Sequence, residues 1–146
     1  MNYTFKIKTI ADSDWNNNLL KSKSATFFQS TDYLNSNSKD YFPVFIYIFD
    51  QDGNVVGQLG IRIIKTVVRY SSPFFRKLLH LISKITSRGI WLDGPIIHPN
   101  DKNMRLEILQ KMIEAVKFVA EQYNLVHIEG YTPGYDLEID NTYRYC

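Results

Sequence analysis

Gly89-Ile-Trp-Leu-Asp-Gly-Pro-Ile-Ile-His-Pro-Asn100 leads into a long amphipathic stretch and then into Asn124-Leu-Val-His-Ile-Glu-Gly-Tyr131. An apolar strand, a Gly-Pro turn, a helix and a second apolar strand make a crossover unit. Such a unit sets two strands of one sheet side by side beneath a helix. The loop after the first strand then lies at the carboxyl end of the sheet, where folds of this kind hold ligands. The helix is expected over residues 105–122, with Ile108, Leu109, Met112, Ile113, Val116, Val119 and Ala120 on one face. Glu107, Lys111, Glu114, Lys117 and Glu121 occupy the other, and Asp101 suits its positive N-terminal end.

Upstream, residues 43–49 and 55–64 are two runs rich in β-branched and aromatic side chains, separated by Asp50-Gln-Asp-Gly-Asn54. An Asp-Gly pair between such runs predicts an antiparallel hairpin. Gly57 and Gly60 within the second run mark a bulge, a tight packing point or a close ligand approach. Residues 3–10 alternate as a short strand. Asp12 or Ser13 then caps a short helix through Trp15, Leu19 and Leu20, and Ser30 or Thr31 caps a second. Residues 72–87 read as a further helix opened by Pro73, with Phe74, Leu78, Leu81, Ile82 and Ile85 as its stripe. Arg76, Lys77, His80, Lys84 and Arg88 form its basic remainder.

The 146 residues, 45% of them hydrophobic, suit a single domain with a real core. A net charge of +2 argues against a dedicated nucleic-acid binder. The one cysteine is the last residue, which excludes an internal disulfide and a cysteine-based zinc site, and three dispersed histidines give no metal-ligand spacing. Residues 1–8 hold no signal-peptide core, and no run reaches the ~20 apolar residues of a spanning helix. The expectation is a soluble, cytoplasmic domain of α/β (α+β) class, with a mixed, mainly antiparallel sheet flanked by helices and left incomplete at its C-terminal side.

A hairpin followed by a strand–helix–strand crossover resembles the acetyltransferase-like (GNAT) fold. In members that bind acetyl-CoA, the loop entering the crossover helix carries Arg/Gln-x-x-Gly-x-Gly/Ala, whose backbone N–H groups cradle the pyrophosphate. Here the loop is Ile97-His-Pro-Asn-Asp-Lys-Asn-Met-Arg105, without glycine and with Asp101 where phosphate would sit. That argues against CoA at this loop. Trp15, Ala25-Thr-Phe-Phe-Gln-Ser30 before Tyr33, the Asp52-Gly53-Asn54 hairpin and Asp93-Gly-Pro-Ile96 ahead of a long helix occur in the order found in the FemAB family. The chain resembles the N-terminal GNAT-like half of these two-domain, aminoacyl-tRNA-dependent transferases of peptidoglycan cross-bridges.

The resemblance implies a peptidoglycan precursor, or a related amine-bearing acceptor, as the partner and aminoacyl-tRNA as the donor. No bound cofactor is expected. It implies substrate binding by Gln29, Lys39, Asp93, Gly94, Pro95 and His98: a phosphate contact for Lys39, the family's Gly-Pro turn at Gly94 and Pro95, and contacts from Asp93 or His98. His127 and Glu129, two apart on a strand, make either an acid/base pair or a polar strand face. The catalytic residues are not assigned. Arg76, Lys77, Lys84 and Arg88 suit peripheral contact with the inner membrane face, or attraction of pyrophosphate or transfer RNA; the alternative is a helix that packs its stripe on the sheet. The bare edge of the last strand calls for a second copy, the missing C-terminal half or the tail. A non-catalytic GNAT-like binding or dimerisation module is the alternative function.

Overall fold

The computed structural model describes residues 2–36, 41–64 and 87–131. The expected hairpin is at its centre: β2 (Tyr41–Phe49) and β3 (Val55–Ile64) pair antiparallel, from Tyr41 opposite Ile64 to Phe49 opposite Val55. Asp50 makes the turn. Its Oδ1 accepts the Asp52 and Asn54 N–H groups at 3.0 and 2.8 Å, while Gly53 takes φ +81°, a conformation that favours glycine. These bonds, the Asn54 side chain first, hold the Asp50 carboxyl below the usual carboxylate range. The register slips at Ile48/Phe49, beside Gly57. Gly57 and Gly60 are tight packing points: a Cβ on Gly57 would lie 3.0 Å from Ile108 Cγ2, and one on Gly60 only 2.2 Å from Leu34 Cδ1.

β1 (Thr4–Lys8) pairs antiparallel with the outer side of β2. Across β3 lie β4 (Ser87–Trp91) and the short β5 (Ile96–Ile97), both antiparallel to it. The long helix α3 is Lys102–Gln122, and it returns the chain to β6 (Leu125–Gly130), which runs parallel to β4. The crossover read from the sequence is thus present, and the sheet order is β1-β2-β3-β4-β6. The chain is α+β, with a mostly antiparallel sheet flanked by helices.

Each face of the sheet has its own core. Val44, Ile46 and Ile48 alternate toward α3 and meet Ile108, Leu109, Met112, Ala115 and Val119. Phe45 and Tyr47 point the other way, onto Trp15, Leu19 and Leu34. Those three belong to two short helices, α1 (Trp15–Leu19) and α2 (Thr31–Asn35), with a 3-10 turn at Phe27–Gln29 between them. A strand buried on both sides reads as a continuous apolar run, as residues 43–49 do.

Several expectations shift. α3 starts at Lys102 rather than at residue 105, because Asp101 is its N-cap and accepts the Met104 N–H at 2.9 Å. Ser30 caps α2 as expected, but Asp14 stands at the start of α1 without a side-chain cap bond. Leu20 is 80% exposed because α1 ends at Leu19. Arg88, grouped above with a basic helix, is an exposed residue of β4, and Ser87 opens that strand. The rest of the expected helix, Lys39 and the tail from residue 132 lie outside the described residues. Among the described residues no helix is long and apolar enough to cross a membrane.

Candidate functional site

The chain leaves β3 between β4 and β5. From the pair Arg62/Ile90 to the pair Gln58/Ile96, β3 advances four residues while the opposing chain advances six. The surplus forms the turn containing Leu92, Asp93, Gly94 and Pro95, with Asp93 at φ +48° and the Gly94–Pro95 peptide cis. Gly60, opposite the gap, has lost its backbone partner on this side. The Gln29 amide replaces it: Oε1 accepts the Gly60 N–H at 2.7 Å, and Nε2 donates to Leu92 O at 2.7 Å and to Gly60 O at 3.4 Å. Gln29 is fully buried and its own carbonyl accepts the Trp15 indole N–H at 2.7 Å. Its amide is therefore committed to the fold, as buried polar groups must be.

Gly94 is fixed by crowding. A Cβ there would stand 2.6 Å from Leu59 Cδ1 and 3.0 Å from Gln29 Nε2. Its N–H donates to Tyr131 O at 3.2 Å and its carbonyl accepts the Trp91 indole N–H at 3.3 Å, which ties the turn to the end of β6. Gln29, Asp93, Gly94 and Pro95 are thus brought to one place, as the sequence reading grouped them. His98 follows β5, its N–H bonded to Val56 O at 3.0 Å. His127 and Glu129 do share one face of β6, with Nε2 and Oε2 3.4 Å apart, but both side chains are about half exposed and neither lines a cavity described below.

Beside the turn, a cleft of about 220 Å³ opens at the carboxyl end of β4. Phe28, Tyr33, Tyr41 and Trp91 give it aromatic walls, and Arg62 is its charged member. The guanidinium lies 3.5 Å from the Tyr33 ring centre and 4.4 Å from that of Tyr41. Nη2 donates to the Tyr33 carbonyl and, at 2.9 Å, to Ser36 Oγ, whereas the buried Nε has no partner among the described residues. The sequence reading missed this cleft. A lone arginine inside the apolar run of residues 55–64 was the available signal.

A second cavity, of about 240 Å³, is lined by Lys21, Ser22, Lys23 and Ser24 from the loop after α1, and by Ile97, His98, Asn100 and Arg105. Both His98 ring nitrogens are buried without a partner among the described residues. Burial, reinforced by the Lys21 charge, pushes the His98 pKa down, so the ring is neutral at pH 7.

No sequence-family model matches the chain, and no curated protein sequence matches it. Solved structures do. A ribosomal-protein-alanine N-acetyltransferase from Brucella melitensis biovar Abortus superposes with a TM-score of 0.62 at 13% identity, over 99% of this chain and 90% of that one. An aminoglycoside 6'-N-acetyltransferase from Acinetobacter baumannii gives 0.54 at 12% identity, over 97% of this chain and 88% of that one. At such identities the likeness is one of architecture, and the domain has the fold of the GNAT N-acetyltransferases.

Proposed function

We propose that this domain serves acyl or aminoacyl transfer to an amine, in the manner of the FemAB transferases, by recognising the acceptor. The observation that carries the reading is the aromatic cleft beside the β4 turn, with Arg62 stacked between Tyr33 and Tyr41 and its Nε unmatched. An acceptor that joins a carboxylate to apolar groups, as the stem peptide of a peptidoglycan precursor does, suits that combination. The carboxylate would accept from the guanidinium, and the apolar part would lie on the rings. Transfer then needs the acceptor amine held near an activated ester and a donor for the developing oxyanion. The domain's part in this is positioning. The donor expected from the resemblance is aminoacyl-tRNA, and the capping of α3 by its own Asp101 carboxylate supports a donor other than CoA at residues 97–105.

Calorimetry of the full chain with a UDP-N-acetylmuramoyl pentapeptide tests this. Saturable binding that Arg62→Gln abolishes and Arg62→Lys weakens is the expected result. No binding of the precursor, together with acetylation of simple amines from acetyl-CoA, would overturn it. The second reading, a non-catalytic GNAT-like module, is favoured by one feature: His127 and Glu129 lie on an exposed face and contribute to neither cavity. That reading expects no transfer to any amine, even when a partner protein carrying a second GNAT-like half is supplied.

A further inference from the structure

The loop and 3-10 turn between α1 and α2 hold three large apolar side chains out of the core. Leu20 is 80% exposed, Phe27 65% and Phe28 39%. They form one patch. Leu20 and Phe27 line the same hollow of about 320 Å³, and the Phe27 and Phe28 rings lie 6.2 Å apart, each also edge-on to Tyr33. Single exposed apolar residues are ordinary, whereas a contiguous group marks a contact surface. The charge around it has one sign. Between Asp14 and Asp32 the chain carries Lys21 and Lys23 and no acidic residue, although the whole protein is nearly balanced at 17 basic to 15 acidic. Both lysines are exposed, and among the described residues neither has an acidic partner; Lys21 donates to the Asn18 side-chain oxygen at 2.7 Å. Thr26, which lines the hollow with Leu19 and Ala25, buries a hydroxyl that has no partner among the described residues.

We propose that this patch docks the domain on an anionic phospholipid surface, with Leu20, Phe27 and Phe28 entering the boundary between headgroups and acyl chains and Lys21 and Lys23 held at the headgroup layer. The inference goes beyond the acceptor reading and uses none of the Arg62 contacts. Charge complementarity selects the occupant: apolar tips beside uncompensated lysines match a surface that is apolar within and negative outside. The tips sit on a loop and a three-residue turn, so they reach the ~5–10 Å depth of such a boundary without carrying the sheet with them. Lysine stems lie along apolar surface while their ammonium groups stay in water. The first acyl carbons of a lipid would fill the hollow against Leu19 and Ala25, and an ester carbonyl would accept a hydrogen bond from the Thr26 hydroxyl. Phe28 is also a wall of the Arg62 cleft, so docking brings that wall to the lipid surface.

Flotation of the full chain with vesicles of mixed phosphatidylcholine and phosphatidylglycerol tests this, with vesicles of phosphatidylcholine alone as the comparison. Binding to the mixed vesicles is expected, weaker on phosphatidylcholine alone and weaker in high salt. Replacing Lys21 and Lys23 together by Gln should lower affinity for the mixed vesicles about thirtyfold and leave that for phosphatidylcholine unchanged. Leu20→Ser combined with Phe27→Ser should lower affinity for both by roughly tenfold or more. All four side chains are exposed, so both double variants keep the parent melting curve. Nitroxide-labelled acyl chains are expected to broaden the NMR signals of the Phe27 and Phe28 rings. Phe118, exposed on α3 at the opposite face of the sheet, should stay sharp. No vesicle binding, parent affinity in either double variant, or equal broadening at Phe118 would overturn the proposal. A dimer that the Leu20 and Phe27 replacements abolish, without vesicle binding, would also overturn it and assign the patch to a second copy of the chain.

Discussion

Toward α3 the sheet presents Val44, Ile46, Ile48, Ile61 and Ile63, an aliphatic surface closed by one 21-residue helix. Toward α1 and α2 it presents Phe45 and Tyr47, edge-on to Trp15 with centroids 4.9 Å away in each case, and the buried amide of Gln58, and it meets the buried amide of Gln29 from the 3-10 turn. The first core is mainly aliphatic; Tyr3 and Trp91 belong to it, and the Trp91 indole N–H is bonded to Gly94 O. On the second, the Tyr47 hydroxyl takes the Asp12 N–H, Gln58 reaches the Trp15 carbonyl, and two five-residue helices leave gaps along their margins. Both candidate cavities are bounded by residues from that layer. One face of this sheet therefore supplies the bulk of the hydrophobic stabilisation, while the other accepts polar groups and irregular packing in return for recognition surfaces.

The sharpest way to break this contrast is to hollow out the α3 face. Met112→Ala should cost about 2–5 kcal/mol in urea unfolding, the range for emptying a fully buried site. Binding in the aromatic cleft should survive wherever the variant is folded, and a loss of binding without a loss of stability would contradict the division. On the other face Gln29→Leu keeps the volume but strips the amide. About 1–3 kcal/mol should be lost for the partners left buried and unpaired. If Gln29→Leu proves neutral, the polar layer is less committed to the fold than the bonds imply.

A smaller effect distinguishes the faces by pH. His98 titrates below the ordinary histidine value of 6.5 in the folded chain, burial first and Lys21 second. The unfolded chain therefore takes up its proton first as pH drops, so stability is level above about 6.5 and declines as pH falls below it, until the folded ring protonates as well. Urea titrations at pH 7.5 and 5.5 should show this decline in the parent and a flatter response in His98→Leu. Smallest of all, Lys8→Met removes an exposed ion pair with Asp12 and should change stability by about 0.2–1 kcal/mol, within reach of a careful thermal melt.

The α3 face was legible because its signals are local. The Asp-Gly turn, the periodicity of residues 105–122 and the crossover each declare themselves within a few residues. The turn at Gly94-Pro95 was legible as a turn, and Gln29 only as a substrate-binding residue implied by the family resemblance. Their association was not, since the Gln29 amide bonds to groups 31 and 63 residues along the chain. The cavities were missed for the same reason. Lys21 and Lys23 stand in a short loop without a sequence pattern, and Arg105 reads as the start of a helix, until the fold brings them beside His98. The start of α3 was misplaced by three residues because the Asp101 cap shows in sequence only as a charge near a helix end.

The amide of Gln29 has a further consequence, for the order of assembly. β3 and the β4 turn cannot both be saturated by backbone alone, so the crossover half remains unfinished until the α1–α2 layer arrives with residue 29. Two segments far apart in the chain are thereby joined into one opening unit. Under native conditions the Gly60 amide should exchange its proton only when that layer lifts away, at the same free energy as the Trp15 indole N–H, which the Gln29 carbonyl secures. A side chain acting as a substitute peptide group makes the domain more cooperative than its short helices suggest, and leaves few partly folded forms in which the recognition layer is loose while the sheet stays intact.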